Sequence, residues 1–472
     1  MTTRRDFMGQ SAGLAGVALA SLGSLPTTTL LAASPTPDIQ TLTLTASPAA
    51  IQVGPDGTQP TQLWCFNGQF PGPEIRVRQG DRLRVRFVNQ LPQPSSIHWH
   101  GIRLPNNMDG VPGLTQDPVP PGGEFVYEFD CPDAGTFWYH PHFNSAEQLG
   151  RGLIGALVVE EKAPPAVDHD LTWVLSDLRV DTQGRLNESF TNRHDQAHAG
   201  RIGNVVLING SITDRFMLPG PSRIRLRLIA ATNARLFELR LKDAKDASAH
   251  LIAIDGHPID PTPVSDAIDL APGQRVDLLI DLDANDSFGI EDHAYPRNAY
   301  KLAEIRGVGT QQSRSTAYKT KIARLPSNPV PPVASTALQT ARSVPLVITG
   351  GAMSRAMRAD GIWQINGHAM TDHRKEDLHH MKPNFKLKLG EVVQLQLENQ
   401  TAWFHPMHLH GVVFQEVLAD QNLGPYRDTV LLSPGQKMTV AMRADIPGLW
   451  MIHCHVLEHQ HSGLMGYFSV ES

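Results

Sequence analysis

Pro434-Gly435-Gln436-Lys437-Met438-Thr439-Val440 is a tight turn followed by an alternating strand, and thirteen residues after Val440 begins His453-Cys454-His455-Val456-Leu457-Glu458-His459. The turn-plus-strand pattern occurs twice more, as Pro121-Gly122-Gly123-Glu124-Phe125-Val126-Tyr127 and Pro272-Gly273-Gln274-Arg275-Val276-Asp277-Leu278. Upstream of the three copies lie Asn67-Gly68, Asn209-Gly210 and Asn366-Gly367, each ahead of an alternating strand: Ile75-Arg76-Val77-Arg78, Ile224-Arg225-Leu226-Arg227 and Phe385-Lys386-Leu387-Lys388. Each strand leads to a second asparagine, Asn89, Asn233 or Asn399. A pattern that recurs at this scale is one supersecondary unit repeated. Short Val/Ile/Leu alternations bounded by Gly and Pro turns are strands. The chain therefore reads as all-β, in three copies of one β-sandwich over residues 34–163, 164–335 and 336–472. The Pro/Ser-rich run from Leu325 to Pro345 is the expected connector before the last copy.

The repeat gives the histidines a ruler. His98 and His100 lie nine and eleven residues after Asn89, and His408 and His410 lie nine and eleven after Asn399. His140 and His142 lie nineteen and twenty-one after Pro121, and His453 and His455 stand at the same offsets from Pro434. The middle copy has Lys242, Ala244, Glu291 and His293 at those offsets, so it carries no equivalent site. If the outer copies face each other across a pseudo-twofold axis, their eight histidines converge on one cluster. Neutral imidazoles suit copper, which stands at the top of the divalent affinity order. On a strand, His453 and His455 point to one side and Cys454 to the other. A thiolate with two imidazoles and a weak axial partner is the blue-copper donor set, suited to one-electron transfer. His405, Cys454 and His459 occur only in the third copy and define a separate site there.

Composition excludes other classes. The 472 residues carry a net charge of −6 with acids and bases interspersed, which offers no basic face for nucleic acid and no polybasic membrane anchor. The N-terminal Thr3-Arg4-Arg5-Asp6-Phe7-Met8 precedes an apolar run from Ala12 to Leu25 and then Leu31-Ala32-Ala33. Paired arginines before a run too short to span a bilayer resemble a twin-arginine export signal, so residues 1–33 are expected to be a signal peptide and the mature protein periplasmic or otherwise exported. Besides Cys454 there are only Cys65 and Cys131, either a disulfide pair in an oxidising compartment or two free buried thiols.

The segments His98-Trp99-His100-Gly101, Trp138-Tyr139-His140-Pro141-His142, His405-Pro406-Met407-His408-Leu409-His410-Gly411 and His453 to His459 resemble the four copper signatures of the multicopper oxidases. The resemblance spans nearly the whole mature chain and implies three cupredoxin-like Greek-key β-sandwich domains holding four copper ions. It implies a type 1 copper on His405, Cys454 and His459 and a type 2 copper on His98 and His408. The two type 3 coppers would take His100, His140 and His455, and His142, His410 and His453. It further implies a laccase-like reaction, in which a phenolic or amine donor, or a metal ion, is oxidised one electron at a time, through the exposed edge of His459, while dioxygen is reduced to water. Alternatives within and beyond the class are a cuprous oxidase serving copper tolerance and a copper-free structural or cell-division protein. The last should have lost its ligands, and none is missing here.

Departures from the family pattern carry their own expectations. Five residues after His459, where many bacterial relatives place an axial methionine, stands Leu464, with Met465 one later. A leucine donates nothing to copper, so the site should be nearly trigonal, with a raised potential. Gln460 occupies a position where relatives commonly carry an acid; Asp109, in Met108-Asp109-Gly110-Val111-Pro112, resembles the family's other acid near the cluster, and the resemblance implies that it takes on more of the proton delivery here. Asp428 is expected to be structural. The scattered methionines and histidines from Met353 to Met381 are expected to be core residues and a polar loop.

Overall fold

The structure is a computed structural model that describes residues 38–472 apart from 55–58, 191, 213, 243–247, 266, 285, 310–317, 353, 355–361 and 371–381. The expected signal peptide lies outside the described residues, as do Met353, Met357, Met381, His373, His379 and His380. No helix among the described residues is long and apolar enough to cross a membrane.

Six sheets form three pairs. In the first copy the strands run Thr61–Phe66, Ile39–Ile51, Arg82–Asn89, Glu124–Asp130 in one sheet and Gly72–Arg78, Gly155–Glu160, Gly135–His140, His98–His100 in the other. The middle and third copies keep that order and lengthen it, the first sheet by two strands and the second by one. Parallel pairing of the opening strand with the strand that lies beside the one following the Pro-Gly turn recurs in all three, as Ala46 opposite Asn89, Leu175 opposite Ala230, and Ile348 opposite Asn399. Alternation supplies the reason for each layer. In Arg82–Asn89, Leu83, Val85 and Phe87 are buried while Arg82, Arg84 and Arg86 pair outside with Asp130, Glu128 and Glu124.

The Asn-Gly turns are one device used three times. Asn67, Asn209 and Asn366 take φ of 52°, 50° and 54°, a left-handed conformation that asparagine tolerates. Each side-chain oxygen accepts the backbone N–H of Thr45, Val174 or Val347 at 2.7, 2.8 and 2.8 Å. The turns thereby lock the first strand of every sandwich.

Three details depart from the sequence reading. Ile224 lies in Ser222–Ala230, the counterpart of Arg82–Asn89, whereas the true counterpart of Gly72–Arg78 and Phe385–Lys388 is Arg215–Pro219. Ala230, not Asn233, is the counterpart of Asn89, since the carbonyls of Asn89 and Ala230 accept from Gly122 and Gly273 at 2.7 and 2.9 Å. Counting from Asn233 therefore runs late, and Glu291 opposes Arg240 rather than Lys242. The connector is also shorter than expected, with Ser335–Thr340 helical and a strand beginning at Arg342.

Candidate metal centre

Two antiparallel pairs present the cluster. His98 lies opposite His140 between His98–His100 and Gly135–His140, and His408 lies opposite His453 between His405–Leu409 and Gly448–Cys454. The first and third copies meet so that their histidines interleave. His98 stacks on His410 at 3.9 Å between ring centroids, and its pseudo-symmetric counterpart, His100 on His408, stacks at 3.8 Å. The pairs His142–His453 and His140–His455, also related by the axis, lie at 5.1 and 5.4 Å. All eight are buried.

Hydrogen bonds outside the cluster set the tautomers. His98 Nδ1 and His408 Nδ1 donate to the carbonyls of Asp109 and Asp428, each at 2.9 Å. His140 Nδ1 and His453 Nδ1 donate to the carbonyls of Pro141 and Cys454 at 3.0 and 2.9 Å, and His410 Nδ1 donates to Asp109 Oδ2 at 2.9 Å. His100 is reversed: its Nε2 donates to Asp428 Oδ1 at 3.1 Å. The inward nitrogens are then bare lone pairs. His410 Nε2 and His453 Nε2 stand 3.1 Å apart, and His98 Nε2, His100 Nδ1, His140 Nε2 and His408 Nε2 have no hydrogen-bond partner among the described residues. Lone pairs aimed at one another in a dry interior repel unless a cation lies between them, which is the donor set copper requires. The ligand atoms of His98, His100 and His408, of His100, His140 and His455, and of His142, His410 and His453 lie within 4.8 Å of one another. Burial, reinforced by neighbouring imidazoles, holds His142, His410, His453 and His455 well below the usual histidine pKa, so they are neutral and able to ligate.

On the other side of the same strand, Cys454 Sγ lies 3.4 Å from His405 Nδ1 and 3.8 Å from His459 Nδ1, and the two nitrogens are 3.2 Å apart. The outer nitrogens are engaged: His405 Nε2 with Thr401 Oγ1 at 2.8 Å, and His459 Nε2 as donor to the carbonyl of His198 at 2.6 Å. Burial pushes the Cys454 thiol up and His459 down to about 3, so a metal must displace the thiol proton on binding. Met465 opposes His453 across Gly448–Cys454 and Met465–Glu471 and packs with Val111, Met370 and Met451. Its side chain thus lies on the His453 side of the sheet, and Leu464, one residue earlier, is buried in the core cluster that also contains Cys454.

Several features escaped the sequence reading. His459 has no exposed edge: it is fully buried beneath His198 of the middle copy, and the Trp363 ring packs against it, tilted by 38°, with centroids 4.2 Å apart. The middle copy covers this site through the short helix Arg193–Ala197, whose Gln196 carbonyl accepts from Trp363 Nε1 at 2.6 Å. Asn233, released from its repeat role, donates to Glu458 Oε1 and to the Ala146 carbonyl, each at 2.8 Å, tying the ligand loop to the other two copies. Asp428 does more than hold a turn, since its contacts mirror those of Asp109 on the opposite half of the cluster. Cys65 and Cys131 are both free, and burial raises each thiol to about 12.

Comparison with known proteins agrees with this geometry. Three family models, each described as multicopper oxidase, match residues 49–164, 169–307 and 342–472. The chain is 31% identical to the multicopper oxidase MmcO of Mycobacterium tuberculosis over 98% of its own length and 95% of that protein. It is 28% identical to a laccase of Neurospora crassa over 88% of this chain and 75% of that one. The crystal structure of a multi-copper oxidase from Pseudomonas thermotolerans superposes with a TM-score of 0.81 at 36% identity, covering 92% of this chain and all of that one.

Proposed function

The chain belongs to the multicopper oxidase family, and from that premise we propose which residues carry the reaction and what they do. It is a copper-dependent oxidoreductase with one type 1, one type 2 and two type 3 copper ions, coupling oxidation of a donor to reduction of dioxygen to water. Within domains spanning 34–163, 164–335 and 336–472, His405, Cys454 and His459 hold the type 1 ion, and His98 and His408 the type 2 ion. His100, His140 and His455 hold one type 3 ion, and His142, His410 and His453 the other. The supporting observation is the convergence of bare imidazole nitrogens from two domains, with a thiol one residue away from two of them. Bound copper would supply one-electron oxidation of the donor at the single site and delivery of four electrons to dioxygen at the cluster.

The chain's own residues do the rest. Cys454 is one peptide unit from both His453 and His455, so a covalent path joins the two sites. Asp109, buried and without a Lys or Arg partner among the described residues, holds His98 and His410 and is placed to carry a proton at its carboxylate. Asp109→Asn should lower turnover about a hundredfold and change the pH profile, with copper content intact; unchanged profiles would remove the proton role. Leu464 is the non-coordinating axial residue, so Leu464→Met should lower the type 1 reduction potential, and Met465→Leu should leave it where it is.

The donor is a phenolic or aromatic amine or a metal ion, and the protein is exported by the twin-arginine route to the periplasm or beyond. One observation favours a cuprous oxidase as the second reading: His459 Nε2 is committed to the His198 carbonyl, so a phenol hydroxyl finds no free imidazole edge there. Oxygen uptake by the copper-loaded protein with phenols, diamines, Cu(I), Fe(II) and Mn(II) tests both. Saturable Cu(I) turnover, or strong stimulation of phenol oxidation by added Cu(II), selects the second reading. No uptake with any donor refutes both.

A further inference from the structure

The middle copy contributes no imidazole to the cluster, yet its Pro272-Gly273-Gln274-Arg275 turn is pressed against it. Gly273 takes φ of +91°, and a Cβ there would lie 2.9 Å from His455 Cδ2 and 3.1 Å from His100 Cε1, so bare backbone is the wall. Arg275 is fully buried, and its Nη1 and Nη2 donate to the two carboxylate oxygens of Asp428 at 2.8 and 2.7 Å. Its Nε donates to the Thr136 carbonyl of the first copy at 3.1 Å. Gln274 Nε2 donates to the carbonyl of Thr429 at 3.1 Å, and Asp255 accepts the backbone N–H groups of Arg275 and Thr429 at 3.0 and 3.4 Å. Gly101, directly after His100, takes φ of +88°, and a Cβ there would sit 2.4 Å from Arg275 Nη2. Space for the guanidinium is thus built in from the first copy, the acid comes from the third, and the arginine from the second.

The repeat shows that this arginine is not inherited from the fold. At the equivalent position the first copy has Glu124 and the third Lys437, both in surface pairs, with Arg86 and Glu398. The two pseudo-symmetric acids also differ. Asp109 and Asp428 make the same pair of contacts to histidines, but only Asp428 has a guanidinium on it.

We propose that Arg275 is a positioning residue for the oxygen-reducing cluster. By gripping both oxygens of Asp428 it orients the carboxylate that holds His100 with Nδ1 inward, and the adjacent carbonyl that holds His408 with Nε2 inward. Planar bidentate geometry is what lets an arginine do this, and a lysine, a point charge, cannot reproduce it. The inference rests on reading the eight histidines as a three-copper site.

The test uses the full copper-loaded chain. Arg275→Gln and Arg275→Lys are compared with wild type for copper per chain, blue absorbance, and the electron paramagnetic resonance of the type 2 ion. Blue absorbance should be unchanged, because none of these groups touches Cys454, His405 or His459. Type 2 copper affinity should fall by about 10- to 100-fold, with altered hyperfine coupling. Lysine should restore thermal stability without restoring the type 2 signal, whereas an arginine serving only to neutralise a buried charge would be rescued on both counts. Gln274→Ala, which leaves the Arg275–Asp428 pair intact, should move the same signal less; if neither arginine variant folds, Asp428→Asn, which breaks the bidentate pair from the acid's side, should alter the type 2 signal, and a wild-type spectrum there would overturn the role. Wild type that takes up only the blue copper would refute the cluster reading. Arginine variants with a full copper complement and the wild-type type 2 spectrum would overturn the role of Arg275 alone.

Discussion

On lowering the pH from about 7 to about 5 the copper-free chain should unfold, and the copper-loaded chain should stay folded. The cause is proton linkage at buried imidazoles. Burial holds His100, His140, His142, His405, His410, His453 and His455 well below the ordinary value, lowers His408, and takes His459 to about 3. Above about pH 6.5 these groups are neutral in both folded and unfolded chains and contribute nothing to the pH dependence. Below it only the unfolded chain takes up protons, so stability is lost as pH falls from 6.5 towards the depressed folded value, which for His459 is about 3. Each such histidine costs about 1.4 kcal/mol per pH unit, and four of the nine would cost about 8 kcal/mol by pH 5, comparable with the whole stability of a typical domain. Asp255, pushed up to about 6 by burial and by Asp428, works in the opposite sense, gaining stability on acidification, as do Glu458, Asp177 and Asp269, all raised by burial, but these four acids are outnumbered by the nine imidazoles, which His257, lowered to about 4 by burial, joins. Copper on the inward nitrogens occupies the sites the protons need and adds its own binding free energy to the folded state. Circular dichroism of both forms between pH 7 and pH 4 measures the effect; coincident acid midpoints would show that these imidazoles are solvated before unfolding.

What could be anticipated from the chain is what local geometry repeats. The offsets of His98, His140, His408 and His453 from their asparagine and Pro-Gly markers survive because the same antiparallel strand pair, held in one register in both copies, turns equal spacing into equal cross-strand pairs. Alternation about Cys454 separates the two donor sets for the same reason. The middle copy defeated the same ruler, since Asn233 has left its place in the repeat, occupied by Ala230, and gone to hold Glu458. Contacts between copies left no mark in spacing at all: Arg275 on Asp428, and His198 over His459, join residues 153 and 261 positions apart. The one available hint was that Arg275 stands where the other copies carry Glu124 and Lys437, which already makes that repeat position one without a common charge.

Replacing Cys454 by serine should abolish the blue colour and bring donor oxidation down to its uncatalysed rate, while the eight-histidine cluster still loads its copper. Serine matches the thiol in shape and leaves the Val456 N–H, now 3.4 Å from Sγ, an oxygen to bond to, so the fold has little reason to change. The donor chemistry changes completely. A thiolate is a soft anionic ligand that burial among apolar side chains still permits once metal displaces its proton, whereas a serine hydroxyl stays protonated and offers a hard neutral oxygen. His405 and His459 alone, with Leu464 contributing nothing, make too poor a set to retain the ion. The cluster is unaffected because no inward nitrogen there has Cys454 as a neighbour: His453 and His455 point to the opposite side of the strand. Copper analysis, absorbance and oxygen uptake on one preparation separate these consequences. A serine variant that binds three coppers per chain, is colourless and consumes no oxygen with any donor would place electron entry at this single thiol. One that keeps turning over would require the donor to reach the cluster directly and would break the division of labour between the two faces of Gly448–Cys454.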